Sequence, residues 1–194
     1  MKTLTLSMVL LICMVTTQAQ NKPQGLTSQP NQTDSALTAE TRNVFVNVST
    51  NTLKAAREMP EKLYDFKPTN GVRTFGDLVA HIADVQSTLC SNINGSKPKK
   101  AQQNESKEAM VSALAESVTE CQISFSELSA ENASTLVQAP VGQVTHLVAL
   151  MYIITHESEE YGQMSIYLRL NHVSPPTSDD TTKGGAAGKV PTKP

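Results

Sequence analysis

His156 and Glu160 stand four residues apart in the run THESEEYGQ. On a helix that spacing places two side chains on one face with their ends converging. Imidazole and carboxylate are both ligands for divalent ions, and a third ligand from a facing helix completes an open site. His81, in the run DLVAHIADV, is the candidate third ligand. It follows Leu78 by three residues and precedes Val85 by four, so it shares the inward side of its segment. The same three residues fit a plainer reading, with His81 a satisfied core histidine and His156 and Glu160 sharing a surface hydrogen bond. Tyr152, Gln163 and Tyr167 recur on the stripe that carries His156 and Glu160, and are candidates for orienting the ligands from behind. Glu159, about 100° round the helix from Glu160, is expected to be solvated. His146 lies about 15 Å along the helix from His156, too far to share an ion, and reads as a cap or surface histidine.

Four amphipathic segments position these groups. The first, residues 35–59, carries Leu37, Val44, Phe45, Val48, Thr52, Ala55, Ala56 and Met59 at helical spacings, and Pro60 closes it. The second opens at Thr74, with Asp77 three residues on in a capping-box arrangement, and stops at Gly95 and Pro98. The third covers residues 105–128, with Met110, Leu114, Val118, Cys121, Phe125 and Leu128. The fourth runs from Val144 to Leu170 and ends before Pro175-Pro176. No stretch sustains the alternation of a half-buried strand. Four helices of this length predict an all-α four-helix bundle. The connector from Pro60 to Arg73 is long, holds Tyr64, Phe66 and Pro68, and is expected to pack across one end as a crossover.

The chain ends bound the compartment. Lys2 precedes an apolar run from Leu4 to Val15, too short to span a bilayer, and Thr17-Gln18-Ala19 offers small residues for signal-peptidase cleavage. A signal peptide over residues 1–19, and hence a periplasmic or secreted location, is the expectation. A lipid anchor on Cys13 is disfavoured by bulky Ile12 before it, so no stable membrane anchor is expected. Cleavage would remove one of 16 basic residues and none of the 18 acidic ones, leaving a net charge of −3. With no basic stripe, this excludes a nucleic-acid footprint. Residues 20–34 and 177–194 are poor in apolar groups and are expected to be disordered tails around a domain at 35–176. Cys90 and Cys121 remain, either as a disulfide pair in an oxidising compartment or as two buried thiols.

The segments MPEKLYDFKPTNGVRTFGDLVAHIADVQSTLCSNING and HESEEYGQMSIYLRLNHVSPPTS resemble the DinB-like superfamily of four-helix proteins. The first pairs a Pro-containing connector with an Arg-Thr-Phe-Gly helix start and His81. The second follows His156 with Tyr161-Gly162-Gln163, Tyr167-Leu168-Arg169 and Pro175-Pro176. The similarity covers about residues 35–178 and implies an up-down-down-up bundle. It further implies a divalent metal, zinc or nickel, held by one histidine of the second helix and an H-x-x-x-H pair of the fourth. By position, His81 and His156 match two of those ligands, and Glu160 stands where the second histidine of the pair would be. Two histidines and one glutamate form an open zinc arrangement; the carboxylate lowers the preference for softer metals. His172 stands where the family often carries glycine and is expected to end the helix in an exposed turn.

A three-ligand site with an open position points to metal-assisted hydrolysis. The thiol transfer known among relatives fits an exported chain poorly, because the reducing thiol pool is cytosolic. Two non-enzymatic readings stand beside it: a bundle that binds a metal or an unidentified small molecule with the site relaxed from catalysis, and a partner-binding module, such as a homodimer, with Tyr161, Tyr167 and Arg169 as contact residues. The substrate is not legible.

Overall fold

In the computed structural model the described residues are 32–101 and 105–178. The expected signal peptide, and most of both expected tails, lie outside them. Four α-helices make up most of the described residues: α1 (Gln32–Glu58), α2 (Phe75–Asn94), α3 (Lys107–Glu127) and α4 (His146–Leu170). α1 thus begins within the polar stretch read as a linker. It buries Phe45, Ser49, Thr52, Ala55 and Ala56, with Met59 buried just beyond its end, whereas Val44 is exposed. α2 opens with the expected capping box: Thr74 Oγ1 accepts the Asp77 amide at 3.0 Å, and the Asp77 carboxylate accepts the Thr74 amide. Such a cap contributes about 1 kcal/mol. α2 ends at Gly95, whose φ of 66° is the left-handed cap that glycine adopts without strain.

Side-chain pairs give the helix directions. Lys107 Nζ, at the start of α3, donates to the carbonyls of Arg57 and Met59 at the end of α1. Phe45 and Phe125, at the opposite ends, stack with centroids 4.4 Å apart, so α1 and α3 are antiparallel. Ser117 bonds Gln86, Cys121 meets Cys90, and Ser124 bonds Asn94, so α2 and α3 are parallel. α4 runs against α2, with Tyr167 near Arg73 and His156 near His81. The bundle is therefore up-down-down-up. The crossover is the second connection rather than the first, which corrects the expectation for Pro60–Arg73. That first connector forms a 3-10 turn (Glu61–Leu63) and closes the α1–α2 hairpin, with Tyr64 donating to the Ala56 carbonyl. The return from α2 to α3 passes back along α2, where Lys99 N donates to Ser87 Oγ and Ala101 N to Asp84 Oδ1. Glu120 of α3 holds the α2 side by accepting from Ser87, Ser91 and Ser96.

The third connection was not expected to hold strands. β1 (Leu136–Ala139) and β2 (Gly142–Thr145) pair as an antiparallel hairpin with Leu136 opposite Thr145. α4 consequently starts at His146, with Thr145 as its N-cap. Two four-residue strands give too little periodicity to register in sequence. No helix among the described residues is long and apolar enough to cross a membrane.

Beyond Leu170 the chain stays on the bundle as far as Ser178. Tyr161 bonds Thr177 and Arg169 bonds Ser178, so these two candidate contact residues are engaged within the chain. The end of α4 is a Schellman motif: Val173 N donates to Leu168 O and His172 N to Arg169 O, with His172 at φ 60°. A side chain at that φ is strained by about 1 kcal/mol. His172→Gly should therefore raise unfolding stability by about 1 kcal/mol, read by urea unfolding; a decrease would mean that the imidazole stabilises the turn.

Cys90 and Cys121, both fully buried, form a disulfide between α2 and α3 with Cα atoms 5.1 Å apart. It closes a loop of sequence separation 31, for which chain-entropy loss gives about 3–4 kcal/mol. The double substitution Cys90→Ser and Cys121→Ser should lower stability by that order in chemical unfolding; an unchanged midpoint would remove the bridge from any account of stability.

Candidate metal centre

His81 comes from the middle of α2, and His156 and Glu160 from successive turns of α4. Their ligand atoms form a triangle. His81 Nε2 lies 3.1 Å from His156 Nε2, and these lie 3.6 Å and 3.7 Å from Glu160 Oε1. Tetrahedral ligation at zinc–ligand distances of about 2.0–2.1 Å requires ligand–ligand edges of about 3.3–3.4 Å. The observed triangle fits such a face with shifts of a few tenths of an ångström. Among the described residues these three form a group that could hold a metal ion. Their side-chain exposures, 28% for His81, 13% for His156 and 7% for Glu160, leave the group open on the α2 side and closed beneath.

Electrostatics favour the ligating form of the two histidines. Burial lowers the pKa of His81, the nearby Arg73 charge lowers it further, and Asp84 opposes both. Burial lowers that of His156 as well, with contributions from His81 and Arg73 against Glu159. Neutral imidazoles at physiological pH are what a metal requires. The two His–Glu contacts are therefore not ion pairs, and at 3.6 and 3.7 Å they are too long for hydrogen bonds. Burial pushes the Glu160 carboxyl up, Arg73 pulls it down, and Glu159 adds to the rise. A divalent cation would offset the cost of holding that carboxylate ionised beside two neutral rings.

The surrounding side chains hold this geometry. Gln163 Nε2 donates to Glu160 Oε2 at 2.8 Å, which leaves Oε1 facing the histidines. Tyr152 stacks on His156 with 15° between the planes. The Tyr167 hydroxyl bonds neither ligand; it donates to the Arg73 carbonyl at 2.7 Å and ties the start of α2 to α4. Glu159 is exposed, as its angular offset implies. His146 is not a surface histidine: it is 5% exposed, and its Nε2 is buried with no hydrogen-bond partner among the described residues. Sequence reasoning missed Arg73, whose charge acts on both histidines and on Glu160; its signal was its place directly before the Thr74 cap. An open groove of about 930 Å³ between α2, α3 and their connector contains none of His81, His156 and Glu160.

Comparison with known proteins follows the same lines. The family model described as "DinB family" matches residues 29–187. A search of curated proteins finds no significant match. Among solved structures, a DinB-like protein from Bacillus cereus ATCC 10987 is similar at TM-score 0.56 and 17% identity, over 68% of this chain and 93% of its own. A DinB-like protein from Bacillus subtilis gives 0.58 and 18%, over 71% and 96%. A conserved protein from Enterococcus faecalis gives 0.57 and 16%, over 69% and 96%. At these identities the likeness speaks for the fold.

Glu157, beside His156 on α4, turns the other way. It is fully buried, on the stripe of Leu150, Ile153 and Met164, and faces Thr52 and Gln86. Neither contact reaches good hydrogen-bond geometry: among the described residues both carboxylate oxygens and Gln86 Nε2 lack a partner. Burial raises its pKa from 4.5 to about 7. The folded chain then holds a proton that the unfolded chain releases between those values, so stability falls as pH rises from 4.5 to 7. The full loss is roughly 3 kcal/mol. In metal-free protein, Glu157→Gln should remove it: the variant should gain on the parent by a few kcal/mol between pH 4.5 and pH 8 in urea unfolding. An equal difference at both pH values would show that Glu157 is not protonated in the fold.

Proposed function

The chain belongs to the DinB family, and we propose that it is an exported protein that binds one divalent ion, zinc in the first place, through His81, His156 and Glu160. The observation that carries this reading is the ligand triangle, with edges of 3.1, 3.6 and 3.7 Å on two different helices. An i, i+4 pair on one helix arises often by chance, whereas a third ligand atom at tetrahedral-face distance across a helix interface needs tertiary placement. Two histidines and one glutamate with a fourth position left open are a known zinc arrangement, which puts zinc first among the candidates.

Three protein ligands would leave a fourth position on the side where His81 is exposed. A zinc ion bound there supplies a Lewis acid and lowers the pKa of a coordinated water toward neutrality, which is the chemistry of a metal-assisted hydrolase. The protein residues prepare it: burial keeps His81 and His156 neutral, Gln163 fixes the carboxylate, and Tyr152 sets the plane of the His156 ring. The buried Cys90–Cys121 bridge supports an oxidising compartment, in line with the leader pattern of residues 1–19. It also argues against a thiol-transfer reaction, which needs a reduced thiol pool.

Elemental analysis of untagged protein after equilibration with zinc should find about one zinc per chain. Saturation at a hundredfold excess over Kd should raise stability by about 2.7 kcal/mol. His81→Ala should abolish both effects. If zinc, nickel and manganese all fail to bind, and His81→Ala leaves thermal unfolding unchanged, the metal reading is wrong and the histidines are core packing.

A further inference from the structure

Of the three candidate ligands, Glu160 alone ends in a carboxylate, which can meet a cation through one oxygen or through both. Its last torsion is soft, because rotation between an sp³ and an sp² carbon is broad and nearly two-fold. Covalent geometry therefore does not decide how many oxygens face the histidines. A contact must decide it, and that contact comes from Gln163. Gln163 Nε2 donates to Oε2 at 2.8 Å, while Oε1 lies 3.6 Å from His81 Nε2 and 3.7 Å from His156 Nε2. At those distances neither imidazole holds the carboxylate by a hydrogen bond. Tyr167, the next polar group along the same stripe of α4, donates to the Arg73 carbonyl instead.

Glu160 and Gln163 stand three residues apart on one helix, so their contact does not depend on the register of α2 against α4. Glu160 is buried and Gln163 half-buried, so water competes little for Oε2. The number of donor atoms follows. With Oε2 engaged, the group offers two imidazole nitrogens and one carboxylate oxygen, one fewer than the four of a tetrahedral zinc shell. With Oε2 released, the same three residues would offer four donors and could close that shell by themselves. A closed shell is the mark of a structural site, and an open one of a site that exchanges ligands.

We propose that Gln163 is a positioning residue that restricts Glu160 to one donor oxygen, and that it thereby reserves a place at the centre for an exchangeable small ligand binding through a single atom. This rests on the metal reading above and deepens it. The hydrogen bond of one glutamine separates an exchanging site from a closed one built of the same three ligands.

The test uses the full chain saturated with cobalt(II), whose visible absorption reports ligand exchange where zinc is silent, and azide as the probe. Azide should shift the cobalt spectrum of the parent in a saturable way. Gln163→Met keeps the length of the side chain and removes the donor, and Gln163→Ala is a second donor-free variant should the first not fold. In the metal-saturated variant azide should bind about tenfold or more weakly, the order that a hydrogen bond to a charged acceptor contributes. A merely structural role for Gln163 would lower metal affinity or thermal stability and leave azide affinity of the saturated protein at the parent value. If cobalt binds but azide leaves the parent spectrum unchanged, or binds parent and variant alike, this inference fails alone. If neither cobalt nor zinc binds, the metal reading fails and takes this one with it.

Discussion

Everything at the candidate centre depends on the register between α2 and α4. The two helices run antiparallel, and the three ligand atoms meet because His81 falls level with the span from His156 to Glu160. A slip of one turn would move His81 by about 5.4 Å and dissolve the triangle. The register is held at one end by Tyr167 on the Arg73 carbonyl, with Phe66 and Phe75 packed around the Tyr167 ring. At the other end Asn92 of α2 bonds the Gln138 carbonyl of the hairpin that leads into α4. The disulfide and the serine contacts of Glu120 fix α2 against α3, so α2 is held on both flanks. The site thus sits on rigid elements, as positional accuracy of a few tenths of an ångström demands.

The two buried carboxylates of α4 illustrate what such placement does to chemistry. Glu160 and Glu157 are three residues apart and both are nearly or fully buried. Glu160 reaches the edge of the bundle, where Gln163 and two imidazoles surround it and a cation can compensate its charge. Glu157 points into the closed interior, where burial raises its pKa to about 7. Rotation round one helix separates a candidate ligand from a core carboxyl whose pKa burial raises. The core polar cluster of Thr52, Gln86, Ser117 and Glu157 is costly, and the apolar packing of Phe45, Phe125, Leu78 and Ile82 must offset it.

Much of this was legible in the sequence. Thr74 and Asp77 announced the start of α2 because a capping box is local. The ends of α2 and α4 follow from Gly95 and from the turn at His172 for the same reason. His156 and Glu160 declared themselves as a pair through the pitch of a helix. Less legible were the elements whose signals are short or shared. Glu157 reads as one more acid in the run ESEE, although it occupies a core position on the Leu150–Ile153 stripe. The hairpin at residues 136–145 is too short for its alternation to be seen, and Val144, read as the start of α4, pairs with Val137 instead.

What the sequence determined by itself was what depends on neighbours along the chain: four amphipathic helices, the capping box and glycine end of α2, two candidate ligands on one face and a third candidate inward. The tertiary structure decided what depends on distant residues. It placed the crossover between α2 and α3, brought Cys90 to Cys121, and set His81 within 3.1 Å of His156 across 75 positions of chain. Helix pitch relates residues three and four apart through covalent geometry, and so can be read from a string. The register of one helix against another follows from side-chain packing and the lengths of connections, and only the folded chain fixes it.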